Sequence, residues 1–217
     1  MKYLLLLLSI TLTFYSFSAK VLISASEQDA EIFSNGQKVG TGTATVVVPK
    51  NGKTFVEVKK VGFLTESHTF YKQKGMAKPP KTYHFILKED DSFTSSIVNN
   101  HANTDFSVTI SDNISEDDVW RTAVSIVTDY FDVLEVSDKE TSYLRTAWQA
   151  QSFTAKTVRT RVVLKSGGPG VIKIKLISEY SDKSGTSIRS DEEFKEWDRV
   201  LRRYNSLISD FQTRLSH

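Results

Sequence analysis

Between Lys20 and Lys88 no stretch repeats its apolar residues at the 3.6-residue period of a helix, which restricts the first third of the chain to β structure. Val21-Leu22-Ile23-Ser24-Ala25 and Ala30-Glu31-Ile32-Phe33 are short β-rich runs. Ser34-Asn35-Gly36-Gln37 then centres an Asn-Gly on a tight turn, where both positions must accept positive φ. Val46-Val47-Val48 and Phe55-Val56-Glu57-Val58 follow, separated by Pro49-Lys50-Asn51-Gly52, a second hairpin signal. Further strands are expected around Thr69 to Tyr71 and from Thr82 to Leu87. About six short strands in this span predict a small antiparallel β-sandwich.

The residues that carry this pattern resemble a known family. Val21-x-Ile23, Ala30-x-Ile32, Asn35-Gly36, Gly40 and Gly52-x-x-x-Val56-x-Val58-x-Lys60-x-Gly62-Phe63 are similar to a PEGA domain over residues 20–88. The tetrapeptide that names the family reads Glu27-Gln28-Asp29-Ala30 here, and Gly40 is followed by Thr41-Gly42-Thr43 rather than Thr-Pro. The resemblance implies an extracytoplasmic sandwich serving as an accessory or binding module, with no catalytic residues to carry over. A phosphate loop at Gly40-Thr41-Gly42 is disfavoured, since strand-like Val46 to Val48 follows where a helix N-terminus would be needed.

Export is expected from residues 1–19. Lys2 supplies a positive start, Leu4 to Leu8 with Ile10, Leu12 and Phe14 a short apolar stretch, and Ser16, Ser18 and Ala19 small residues for cleavage. An uncleaved anchor is the alternative. The chain has no cysteine, which excludes disulfides, thiolate metal sites, a thiol nucleophile and lipidation at the signal junction. Charge divides unevenly: residues 20–88 hold eleven Lys and five acidic residues, whereas 89–217 hold sixteen basic and twenty-one acidic ones. Two domains of opposite sign follow, and the basic one suits anionic surface polymers or phospholipid head groups.

Residues 89–104 are polar and turn-rich and read as a linker, partly tucked against one domain as an option. Residues 105–217 predict an α+β domain. Phe106 to Ile110 alternates as a strand, and Ser115-Glu116-Asp117-Asp118 opens a helix that ends near Phe131. Strands are expected over Tyr143–Gln151, Thr157–Lys165 and Val171–Tyr180, the last two joined by Gly167-Gly168-Pro169-Gly170. Alternation puts Val158, Thr160, Val162 and Leu164 on one face with Ile172, Ile174, Leu176 and Ser178. Arg159, Arg161 and Lys165 point the other way beside Lys173 and Lys175, with Arg145 joining from the preceding strand. One face is then apolar and covered by helices, the other basic.

The final segment predicts a long helix. Ser190 and Glu193 read as a capping box, and Phe194, Trp197, Leu201, Tyr204, Ile208, Phe211 and Leu215 recur at steps of three and four. Its length, near 37 Å at about 1.5 Å per residue, exceeds what a small sheet needs. The surplus either lies along the sheet or projects to pair with a partner helix. This order of elements, with Tyr143-Leu144-Arg145-Thr146-x-Trp148 and Arg159-x-Arg161, resembles the helix-grip modules of BamC-type outer-membrane-assembly lipoproteins.

Chemistry is scarce. His68, His84, His101 and His217 fall into no metal spacing, and neither a nucleophile elbow nor a Walker loop occurs. No cofactor is implied. The one positive site is the basic face formed by Arg145, Arg159, Arg161, Lys173 and Lys175, suited to an envelope protein or anionic surface polymer; nucleic acid is disfavoured by export. The sequence thus reads as a non-enzymatic binding or scaffold protein of the bacterial envelope. The alternative is a periplasmic or secreted glycan hydrolase using two carboxylates from separate elements.

Overall fold

The computed structural model describes residues 18–216, which form two compact units divided between Lys88 and Glu89. The signal sequence expected over residues 1–19 lies outside the described residues except for its last two.

Seven strands build the first unit: β1 (Ala19–Ala25), β2 (Glu31–Ser34), β3 (Gln37–Thr41), β4 (Thr43–Val48), β5 (Gly52–Lys59), β6 (Glu66–Lys72) and β7 (Thr82–Phe85). They follow the order β6-β5-β2-β3-β4-β1-β7, antiparallel throughout except between β1 and β7. Alternation turns Val21, Ile23, Val46, Val48, Val56 and Val58 into one core with Ile32, Phe70 and Phe85, the small sandwich expected. β3 is the strand the sequence pattern did not reveal. Its one large apolar residue, Val39, is exposed, so no alternation marks it. It pairs along β2 but meets β4 only at Thr41 and Thr43, so it carries the chain from one half of the sandwich to the other.

Two turns explain themselves. Asn35 and Gly36 take φ of 49° and 82°, the left-handed pair that a two-residue hairpin loop needs. Gly42 has φ 67°, and a Cβ there would lie 2.4 Å from the Gln28 carbonyl oxygen, so Gly40-Thr41-Gly42 is a tight crossing between strands. The outermost strands, β6 and β7, meet through rings. His68 stacks on Tyr83 at 4.6 Å, and Phe70 meets the same ring edge-on at 5.3 Å.

The second unit contains α1 (Asp91–Thr94), β8 (Ser96–Val98), β9 (Asp105–Thr109), α2 (Glu116–Tyr130), β10 (Leu134–Asp138), β11 (Tyr143–Thr146), β12 (Gln149–Ser152), β13 (Thr157–Gly168), β14 (Val171–Ser181), β15 (Lys195–Glu196), β16 (Arg199–Leu201) and α3 (Leu207–Leu215). The long β13–β14 hairpin is its spine. β10, β11 and β12 extend the β13 edge, while β9 and β15 share the β14 edge. Val158, Val162, Leu164, Ile172, Ile174 and Leu176 pack beneath α2 and α3, as the alternation predicts. The predicted cap of α2 also forms: the Ser115 hydroxyl accepts from the Asp118 N–H at 3.2 Å.

Two expectations are corrected. Residues 89–104 are no free linker but part of the second unit. Asp90 caps α1 and pairs with Lys156, Ser92 and Ser96 are fully buried, and the Arg199 guanidinium donates to the carbonyls of Phe93 and Ser96. Burial presses the Asp90 carboxyl upward, but Lys156 and Ser92 together outweigh it and hold the carboxyl below its usual range. The segment reads as linker only because its partners lie about sixty to a hundred residues away.

The long C-terminal helix does not form either. Residues 191–204 are two 3-10 turns and two short strands, and α3 spans about 14 Å at 1.5 Å per residue. The apolar residues are buried as expected, Trp197, Leu201, Tyr204, Ile208, Phe211 and Leu215 among them. Their backbone, however, is claimed elsewhere. The Trp197 N–H donates to the Ser178 carbonyl at 2.9 Å, Asn103 Nδ2 donates to the Trp197 carbonyl at 2.8 Å, and β16 pairs with β8. Each of these bonds replaces one that a helix would have made. Ser190 makes no side-chain cap.

Candidate functional site

The face of the β13–β14 hairpin turned away from the helices carries the cations. Register sets Arg159 opposite Glu179, Arg161 opposite Ile177, Val163 opposite Lys175 and Lys165 opposite Lys173. Arg145 on β11 lies opposite Val163, and Asp105 on β9 opposite Lys175. Half-burial of Arg161, Val163, Lys173, Lys175 and Ile177 is what a sheet face without a covering layer gives.

The chain breaks between β11 and β12 at Ala147-Trp148, where the sequence suggests one continuous strand. That break lays the Trp148 ring across two arginines, 4.2 Å from the Arg159 guanidinium carbon and 4.1 Å from that of Arg161. Cation–π stacking of this kind fixes the plane of a guanidinium while leaving its edge open.

Arg159 is closed off. Its side chain is only 4% exposed, and Phe194 covers the face opposite Trp148 at 4.0 Å. Nε and a terminal nitrogen reach Glu179 at 2.7 and 2.6 Å, and the other terminal nitrogen donates to Asp191 at 2.6 Å and the Ile188 carbonyl at 2.7 Å. Expected among the docking cations, Arg159 instead belongs to the fold, because residues 188–196 turn back over this end of the face. Nothing local in Arg159-Thr160-Arg161 distinguishes the two arginines.

Arg161 is the opposite case. Among the described residues its side chain has no ion pair and no hydrogen bond, and its Nε is buried without a partner. Burial first, and Arg145 next, push its pKa below the usual arginine value, so the site as it stands disfavours its own cation. Arg145 has one carboxylate, Glu135, at 3.0 Å. Lys165 has Asp105 at 2.8 Å, and that hydrogen bond, helped by Lys175 and Lys173, holds the Asp105 carboxyl below its ordinary range. Lys173 and Lys175 make no ion pair among the described residues. The structure therefore places Arg145, Arg161, Lys165, Lys173 and Lys175 on one sheet face, with Trp148 against Arg161 at one end and Asp105 and Glu135 as counter-charges. Trp148, which the sequence offers as a core ring or an exposed stacking ring, is the member that sequence reasoning did not attach to this face. No glycine or proline marks the strand break that places it.

Among the described residues, no three His, Asp or Glu side chains gather in a way that could hold a metal ion. No family model matches the chain, and no curated protein matches it.

Proposed function

We propose that this is an exported, non-enzymatic binding or scaffold protein of a bacterial cell envelope. Its second unit docks an anionic surface polymer on the open part of the cationic sheet face. The signal-like residues 1–19 and the PEGA-like pattern of residues 20–88 support the envelope setting, with the first unit as an accessory surface module. The single observation that carries the docking role is Arg161, a guanidinium 4.1 Å from the Trp148 ring with a buried, unpartnered Nε and Lys173 and Lys175 on the same face. An anion laid along this face would give the terminal nitrogens of Arg161 the acceptors they lack and lower the mutual repulsion of the cations.

The test uses the mature chain from fractionated source cells, with gentle crosslinking in mild salt. Wild type is expected to be retained by cell-wall or outer-membrane polymer, and R161E/K175E to be released. Retention only by an acidic protein would replace the polymer as the partner. Equal retention of wild type and R161E/K175E would contradict the assignment.

A further inference from the structure

On the opposite face of the same hairpin, the layer of helices stops short of the β13–β14 turn and leaves a cleft of about 970 Å³. Leu164 and Ile172, both buried in the core, close its floor, and half-buried Ile110, Ile114, Trp120 and Val171 turn apolar surface toward it. Val119, Trp120 and Ala123 of α2 form one wall and Ile114 another. The cleft is open to solvent, and its half-buried apolar residues favour a hydrocarbon or aromatic body over a hydroxyl-covered sugar. The rim has a definite sign. Asp112, Glu116 and Glu140 are exposed there, and none has an ion pair among the described residues. The cation among them, Lys139, is already held by Asp117 at 2.6 Å.

We infer that this cleft binds a small amphipathic cation, with its apolar body on Ile114, Trp120 and Val171 and its protonated amine at the carboxylate rim. Shape and floor select the body; the rim selects the head and repels amphiphilic carboxylates. The inference stands apart from the cationic face, because alternation directs Leu164 and Ile172 to one side of the sheet and Lys165 and Lys173 to the other.

Methyl NMR of the mature chain, titrated with octylamine, octanol and octanoate, tests it. Octylamine is expected to shift the Ile114, Ile172 and Ala123 methyls saturably, octanol more weakly and octanoate least. E116Q/E140Q, which alters exposed side chains only, is expected to weaken octylamine about fivefold and leave octanol unchanged. Failure of those methyls to move, octanoate binding there as tightly as octylamine, or full octylamine affinity in E116Q/E140Q would each overturn the inference.

Discussion

Arg159 and Arg161 stand two residues apart on β13, face the same way and share the Trp148 ring, yet the two ends of the face they mark are built differently. Around Arg159 the returning segment 188–196 supplies Asp191, the Ile188 carbonyl and the Phe194 ring, and β14 supplies Glu179. Around Arg161, Lys173 and Lys175 no such segment returns among the described residues. A strand's alternation decides which face a cation takes; whether that cation serves the fold or an outside partner is decided by chain folded over it. The closed end is complete in itself, whereas the open end has more positive charge than acceptors.

The largest break in this comparison is expected from Arg159→Met. It strands Glu179, which is only 21% exposed, and removes a guanidinium stacked on both faces. A loss of about 3 kcal/mol in urea unfolding is expected; a loss below about 1 kcal/mol would place Arg159 with the free cations. Trp148→Ala removes the support common to both ends and is expected to cost about 2 kcal/mol, less than a fully buried tryptophan because the ring is half-buried. The same variant should also weaken polyanion binding, since Arg161 loses its fixed plane.

Arg161→Gln sharpens the contrast. With no ion pair to lose and a buried Nε already unpartnered, stability should change by less than about 1 kcal/mol. Binding of inorganic polyphosphate, followed by calorimetry in low salt, should fall about tenfold, the equivalent of about 1.4 kcal/mol.

The smallest effect concerns Asp105, the carboxylate facing the three lysines. Its folded pKa is lowered, so its contribution to stability is complete above the unfolded value of about 3.9 and is lost as pH falls through the lower folded value. Protonation removes a counter-charge from Lys165, Lys173 and Lys175, so polyphosphate binding should tighten in acid. Asp105→Asn should reproduce this at neutral pH by about twofold. Looser binding in either experiment would show that Asp105 orders the lysines rather than offsetting them.

What could be read from the sequence was local. Ser115 caps α2 because its hydroxyl needs only an N–H three residues on, and β13 from Thr160 to Leu164 and β14 from Ile172 to Ser178 alternate because each buried side chain follows two residues after the last. The parts that escaped depend on distant partners. β3 has no apolar stripe, since its role is to cross between sheet halves. The stripe from Phe194 to Leu215 correctly predicted mostly buried side chains and wrongly predicted their backbone, because Ser178, Asn103 and β8 compete for the helix's own hydrogen bonds. Of the cationic site, the face and its residues were legible, while the withdrawal of Arg159 and the placing of Trp148 were not.

The most direct measurement is the indole N–H signal of Trp148 during a titration of the chain from residue 20 onward with inorganic polyphosphate, in wild type and R161Q/K173Q/K175Q. Saturable movement of that signal in wild type, absent from the triple variant, is the predicted result. A Trp148 signal that stays still, or moves equally in both proteins, would contradict an anion-docking role for the open end of the face.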